Sequence, residues 1–137
     1  MTPKTLAKNI ANLTFTKKSH DVLIMDLKKL TDVADYFVLC SADSDTQVKA
    51  IADGVLEGTA KKGITAWRTE GLTQRQWVIL DYVDVVLHIF QKDVRKYYNL
   101  EKLWGDAKVE VVKDKLEPDV KKMIKPKRVK IERVSKK

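Results

Sequence analysis

The chain has 137 residues, of which 44% are hydrophobic and 34% charged, as expected for one folded domain with a real core. Its one cysteine, Cys40, excludes an internal disulfide and suits a reducing, cytoplasmic compartment, and no run approaches the roughly 20 apolar residues of a membrane span. Residues 121–137 hold nine Lys or Arg and one Glu, whereas residues 1–120 hold eighteen charges of each sign, so the net charge of +8 belongs to a basic tail.

The N-terminal part of the chain predicts a helix followed by two strands. Thr2 and Pro3 are suited to a helix start, and apolar residues recur at helical spacing after them. These residues are Leu6, Ile10 and Leu13. Residues 21–27 and 35–41 are each apolar on both faces, which is typical of central strands. We expect both faces of these strands to be covered, either by the chain itself or by a partner.

A second helix and a short third strand are predicted next. Ser44 to Gln47 have the capping-box pattern, in which the Ser44 hydroxyl accepts from a backbone amide and the Gln47 side chain reaches back. Apolar residues then recur at helical spacing until Gly63, which is suited to a helix end. Residues 64–69 predict a third strand.

Two period-two runs, residues 76–82 and 85–91, surround Val83 and Asp84 and predict a β-hairpin with a two-residue loop. Counting across this loop gives the paired residues on each side. One side, called here the ribbon face, pairs Trp77 with Phe90, Ile79 with His88, and Asp81 with Val86. The other side pairs Val78 with Ile89, Leu80 with Leu87, and Tyr82 with Val85. The second side suits the core, whereas the ribbon face mixes apolar and polar groups and is a candidate recognition surface.

Two short helical turns are predicted after the hairpin, one capped by Asp93 and one capped by Asn99 that ends at Gly105. The element order then favours an α/β (α+β) fold with a small mixed sheet of about five strands and helices mainly on one face. The predicted domain covers residues 1–107. Residues 108–137 are expected to form a basic, flexible C-terminal tail.

Little in the sequence points to catalysis. It has no Gly-rich phosphate loop, metal-spaced Cys/His cluster or nucleophile elbow. Asp81, Asp84 and His88 are the best candidate metal ligands, but Asp84 lies in the predicted turn, so a third ligand is missing. We therefore predict no catalytic residue, no metal and no cofactor, and we expect Cys40 to be a buried core residue.

Four separated blocks fall in an order that resembles one known family. The blocks are Ala34-Asp-Tyr-Phe-Val38, Ser44-Asp-x-Gln47, Glu70-Gly71, and the stretch from Trp77 to Trp104. Over residues 5–106 they resemble the ribosomal silencing factor family (RsfS, also called Iojap). The chain departs from the family at Ala42 and Val83, where the family usually carries glycine. Val83 is unfavourable in a tight turn that requires φ > 0.

This resemblance implies a nucleotidyltransferase-like but non-catalytic fold and a steric function. The family binds the fourteenth protein of the large ribosomal subunit, blocks subunit joining, and represses translation when nutrients are scarce. It also leaves open that the protein forms a homodimer when it is not bound to the ribosome. The alternative functions are a nucleotidyltransferase-like enzyme and an RNA-binding module of the same fold.

Residues of the ribbon face and of the helical segment after it are the predicted partner contacts. They are Trp77, Asp81, His88, Phe90, Tyr98 and Leu100, of which Tyr98 and Leu100 rest mainly on the resemblance. In the alternative interpretation, residues 97–104 fold back over the ribbon face and leave His88 as a core histidine. Both interpretations hold together if the helical segment shapes the rim. The basic tail predicts ribosomal RNA contacts by Lys125, Lys127, Arg128, Lys130 and Arg133.

Overall fold

The computed structural model describes residues 1–114, which form one mixed six-stranded sheet with helices on both faces. The strands are β1 (His20–Asp26), β2 (Tyr36–Ala42), β3 (Arg68–Glu70), β4 (Trp77–Asp81), β5 (Val85–Gln91) and β6 (Lys108–Val112). The helices are α1 (Pro3–Phe15), α2 (Asp45–Ala60), α3 (Lys92–Tyr98) and α4 (Leu100–Leu103). The strand order is β3-β4-β5-β2-β1-β6, with β2 and β5 parallel and the other neighbours antiparallel. The predicted α+β class is confirmed, although the sheet has six strands where about five were expected, and α3 and α4 lie on the second face, where helices mainly on one face were expected.

The two sheet faces carry separate apolar clusters. The first lies beneath α1 and α2 and includes Ile10, Val38, Ile51, Leu80 and Leu87. The second lies beneath α3 and α4 and includes Met25, Phe37, Leu39, Phe90 and Leu100. Every residue of β2 is buried. The double-sided apolar pattern of this strand is therefore explained by helices of the chain itself on both faces.

Most predicted helix ends are confirmed by the hydrogen bonds at the helix termini. The Thr2 hydroxyl accepts from Thr5 N, and the Ser44 hydroxyl accepts from Gln47 N, both at 3.1 Å. The Gln47 side chain reaches one residue farther than a simple capping box, since its Oε1 accepts from Asp43 N at 2.7 Å. The Asn99 side chain accepts from Lys102 N at 3.3 Å, as predicted.

Three details of the predicted elements are wrong. Residues 108–112, assigned to the tail, pair with β1 as β6, because the outer edge of β1 offers a full row of backbone partners to this short valine-rich run. The third strand covers only Arg68–Glu70, and the preceding Ile64 and Ala66 pack on the first cluster without strand pairing. Asp93 lies in the first turn of α3, whose N-cap is Gln91, because α3 follows β5 without a linker.

The hairpin turn places Val83 at φ +75°, in the left-handed region that β-branched residues avoid. Its side chain is 56% exposed, so it contributes little packing. We expect Val83→Gly to raise the free energy of unfolding by about 1 kcal/mol, since relief of ~1–2 kcal/mol of strain exceeds the entropic cost of glycine. Urea denaturation measures the change. Val33→Gly, at an exposed residue without positive φ, should show no gain, and an equal gain there would contradict the strain argument.

Candidate functional site

The ribbon face has the predicted register. Trp77 pairs with Phe90, Ile79 with His88, and Asp81 with Val86 across β4 and β5. Alternation along the two strands therefore places all six side chains on one side of the sheet. This is the side on which α3 and α4 pack.

The centre of the ribbon face is covered by the chain itself. Phe90 is fully buried, His88 is 5% exposed, and Leu100 of α4 is 8% exposed within the second cluster. Trp104 also packs against this cluster, with its ring centroid 6.0 Å from that of Phe37. These three predicted contact residues are therefore buried and support the ribbon face from inside the protein, because the residues after β5 fold back over the sheet.

The other three predicted residues lie where the cover ends. Trp77 and Asp81 are half-buried, and Tyr98 is 50% exposed. The Trp77 ring lies 4.9 Å from the ring of Phe90 and 4.8 Å from the ring of Tyr98, centroid to centroid. The indole thus connects the buried floor of the ribbon face to an accessible aromatic surface.

Sequence reasoning missed one member of this surface. Tyr97 is 82% exposed, and its ring meets that of Tyr98 edge-on at 5.1 Å. We call Trp77, Tyr97 and Tyr98 the aromatic patch. Asp81 lies at the other end of β4, about 13 Å from Trp77, where it contacts the guanidinium of Arg68 at 3.5 Å. The adjacent Tyr-Tyr pair in the sequence was a signal for Tyr97, but only the packing of α3 showed which tyrosine remains accessible.

His88 holds the indole of the aromatic patch in place. Trp77 Nε1 donates to His88 Nδ1 at 3.1 Å, so the ring accepts at Nδ1 and carries its proton on the buried Nε2. The Phe37 ring lies edge-on, with its centroid 4.5 Å from that of the imidazole. Burial among these aromatic rings disfavours the charged form and lowers the pKa of His88 to about 4. His88 is therefore a neutral hydrogen-bond acceptor at physiological pH.

The shifted pKa predicts a pH dependence of stability. Since the folded-state pKa near 4 lies below the ordinary value of 6.5, the unfolded chain takes up the proton first as the pH falls. The free energy of unfolding should decrease between about pH 6.5 and pH 4, by as much as ~3 kcal/mol. Denaturation at a series of pH values measures this slope. His88→Gln, whose amide oxygen can still accept from Trp77, should remove it, while His20→Gln should retain it; an unchanged slope in His88→Gln would contradict the assignment.

Arg95 is a buried residue whose role the sequence did not reveal. Its guanidinium donates to the Asp21 carbonyl, to Ser41 Oγ at 2.8 Å and to Glu101 Oε2 at 3.2 Å. These bonds connect α3 to β1, β2 and α4, and Arg95 itself is 8% exposed. Arg95 therefore fixes the helical segment that carries Tyr97 and Tyr98.

The residues considered for chemistry are engaged in structural contacts. Asp81 Oδ1 accepts from Val83 N at 2.8 Å, and His88 Nδ1 is occupied by the Trp77 indole. Across residues 1–114, no three His, Cys, Asp or Glu side chains are arranged to hold a metal ion. Cys40 is buried as expected, and burial raises the pKa of its thiol to about 12. A protonated, inaccessible thiol is a poor nucleophile.

Two further observations concern the predicted RNA contacts and membrane-spanning helices. The predicted RNA contacts of the tail, from Lys125 to Arg133, lie outside the described residues. In the part of the chain that the structure describes, no helix has the length and hydropathy needed to cross a membrane.

Comparison with known proteins agrees with the sequence resemblance. The profile of the family described as "Ribosomal silencing factor during starvation" matches residues 1–137. The ribosomal silencing factor RsfS of Bacillus subtilis is 44% identical over 107 residues, which are 78% of this chain and 91% of the relative. The chloroplastic protein Iojap of Zea mays is 28% identical over 74% of this chain and 44% of its own length. A crystal structure from Chromobacterium violaceum, protein CV0518, superposes with a TM-score of 0.75 at 30% identity, covering 86% of this chain and 98% of that one.

Proposed function

The chain belongs to the ribosomal silencing factor family, and we propose that it represses translation by binding the large ribosomal subunit and blocking subunit joining. The proposed binding partner is the fourteenth protein of the large subunit. The proposed setting is the cytoplasm under nutrient limitation.

The exposed aromatic patch is the observation that supports this proposal. Tyr98 and Tyr97 are 50% and 82% exposed, and Tyr98 lies between Tyr97 and the half-buried Trp77. Exposed aromatic clusters with a polar edge are typical of protein-binding surfaces, where Trp and Tyr often contribute most of the affinity. Asp81 and Arg68 lie at the other end of the ribbon face, where they would form a polar rim and orient the partner through charged hydrogen bonds.

The proposed mechanism is occlusion and requires no covalent step. The aromatic patch binds the partner, and the buried His88, Phe90 and Leu100 hold the patch in shape from below. The body of the bound protein then occupies space that the small subunit needs for docking. The large subunit remains intact but unable to join.

Sedimentation with separated ribosomal subunits tests the proposal. The protein should co-migrate with the large subunit alone, and small subunits added afterwards should fail to form joined ribosomes. Full joining while the factor stays bound to the large subunit would rule out occlusion. Nucleotide turnover without ribosome binding would instead support the nucleotidyltransferase-like alternative.

The basic tail is proposed to add nonspecific contacts to ribosomal RNA. Nine Lys or Arg in residues 121–137 near phosphates would make binding strongly dependent on salt, because each phosphate that is neutralised releases condensed counterions. Deleting residues 121–137 should therefore make the plot of log affinity against log salt concentration less steep. An unaltered slope would mean that Lys125, Lys127, Arg128, Lys130 and Arg133 make no phosphate contacts.

A further inference from the structure

The N-terminal helix carries a charge bias that the proposed docking surface does not use. Residues 1–20 contain four lysines and no Asp or Glu. Residues 21–120 contain fourteen Lys or Arg and eighteen Asp or Glu. The neutral body of the protein is therefore strongly polarised, and α1 with the turn after it forms its positive end.

The exposed stripe of α1 consists of hydrogen-bond donors at helical spacing. Lys4, Thr5 and Lys8 are exposed, while Asn9 and Asn12 are half-buried beside them. The opposite stripe, which includes Ile10, is buried against the sheet and α2. Lys4, Lys8 and Asn12 are separated by four residues each, or about 6 Å along the helix axis. The stripe thus presents a row of cationic and neutral donors to solvent.

These lysines form no ion pair within residues 1–114, and the turn after α1 is held in place. In that part of the chain no carboxylate lies within 4.0 Å of Lys4, Lys8, Lys17 or Lys18, unlike Lys49, which pairs with Asp53 at 2.6 Å. Gln47 Nε2 donates to the carbonyls of Lys17 and Lys18 at 3.1 and 2.9 Å. Lys17 and Lys18 therefore extend from a fixed turn, with the Lys17 stem packed beside Gly54 of α2. None of the four lysines has an ion-pair partner among residues 1–114.

A polyanion backbone is the ligand chemistry that this stripe fits. Lys, Thr and Asn side chains are among the usual donors to nucleic-acid phosphates. Glu110 of the neighbouring β6 lines the same pocket as Lys8 and Asn12. Phosphates would therefore bind along the Lys4 side of the row. A membrane surface fits less well, because binding there requires an accessible apolar helix face, and the apolar stripe of α1 is packed in the core. The observations therefore favour RNA over lipid.

The position of α1 makes this contact independent of the aromatic patch. α1 packs on the first cluster, whereas Trp77 and the α3–α4 segment belong to the second cluster on the opposite sheet face. We propose that α1 and the turn after it bind RNA phosphates through Lys4, Lys8, Lys17 and Lys18, as a second contact surface. The biological RNA would be ribosomal RNA reached from the sheet face opposite to the aromatic patch, and this identification rests on the proposed function.

Salt-dependent binding of the full-length chain to purified large ribosomal subunits tests this surface. Lys4→Gln/Lys8→Gln/Lys17→Gln/Lys18→Gln should reduce the slope of log affinity against log salt by about 3, because each phosphate that is no longer neutralised lowers the slope by ~0.7–0.9. Lys4→Gln/Lys8→Gln alone should reduce it by about 1.5. The matched control is Lys28→Gln/Lys29→Gln, which removes the same charge from the loop after β1 and should leave the slope unchanged. Lys4→Arg/Lys8→Arg, which keeps the charge, should also leave it unchanged.

The outcomes separate this inference from the proposed function. If the unsubstituted chain fails to bind large subunits, the proposed function is wrong. The α1 contact is then tested on a short RNA duplex, by measuring the same slopes of log affinity against log salt concentration. If the unsubstituted chain binds and all variants share one slope, the α1 contact is wrong while the proposed function stands. Weaker binding of the variants to vesicles of phosphatidylglycerol, with no change on the RNA duplex, would also overturn the RNA assignment.

Discussion

Trp77→Ala is expected to weaken binding to the large ribosomal subunit by about 30-fold or more, which corresponds to the ~2 kcal/mol typical of a central aromatic contact. The indole lies between the rings of Phe90 and Tyr98, and its N–H is held by His88. Its removal would delete the apolar centre of the aromatic patch and leave Tyr98 without its neighbour. Equilibrium binding to purified large subunits, measured at fixed salt, gives the change.

The exposed Val111 supplies the control for this variant. Val111 is 65% exposed on β6, at the sheet edge opposite to β3 and β4, so Val111→Ala should change the affinity less than about threefold. Trp77→Phe should retain part of the affinity, because it keeps the stack but loses the N–H bond. A folded Trp77→Ala protein with unchanged affinity would exclude the aromatic patch from the interface.

The hairpin was predictable because its information is local. Strict alternation fixes the faces of β4 and β5, and the two-residue loop fixes which residues are paired. Even the unfavourable position of Val83 followed from the sequence, since the turn requires φ > 0 whichever residue occupies it. The capping signals of α1 and α2 were reliable for the same reason, because each involves residues only three apart.

The cover over the ribbon face was one of two interpretations that the sequence left open, because the choice between them depends on long-range packing. The α3 and α4 helices are too short for their periodicity to identify a buried stripe, and Leu100 alone does not indicate which sheet face it meets. Arg95 looked like one more cation in a basic turn, although its partners lie 54 and 74 residues earlier in the chain. The edge strand β6 was missed because its five residues become a strand only through pairing with β1.

Arg95→Met is expected to lower the free energy of unfolding by about 2–4 kcal/mol. The substitution keeps much of the side-chain volume but removes every donor. The Asp21 carbonyl, Ser41 Oγ and the Glu101 carboxylate would then lose their shared partner in a mostly buried environment. The lost hydrogen bonds from a charged donor to Ser41 and to the Asp21 carbonyl account for most of the expected decrease, because the Glu101 side chain is 36% exposed and can be hydrated.

The neighbouring Lys96 provides the control for Arg95, because it lies on the same short helix but is exposed. Lys96→Met should change the free energy of unfolding by less than about 0.5 kcal/mol. Arg95→Lys should fall between the two, because an ammonium keeps the charge but cannot reach three acceptors in different directions. Urea denaturation ranks the three variants.

The Arg95→Met variant should also bind large subunits more weakly at temperatures where it remains folded, because α3 no longer fixes Tyr97 and Tyr98. Full affinity in that folded state would mean that Arg95 stabilises the fold without positioning the aromatic patch.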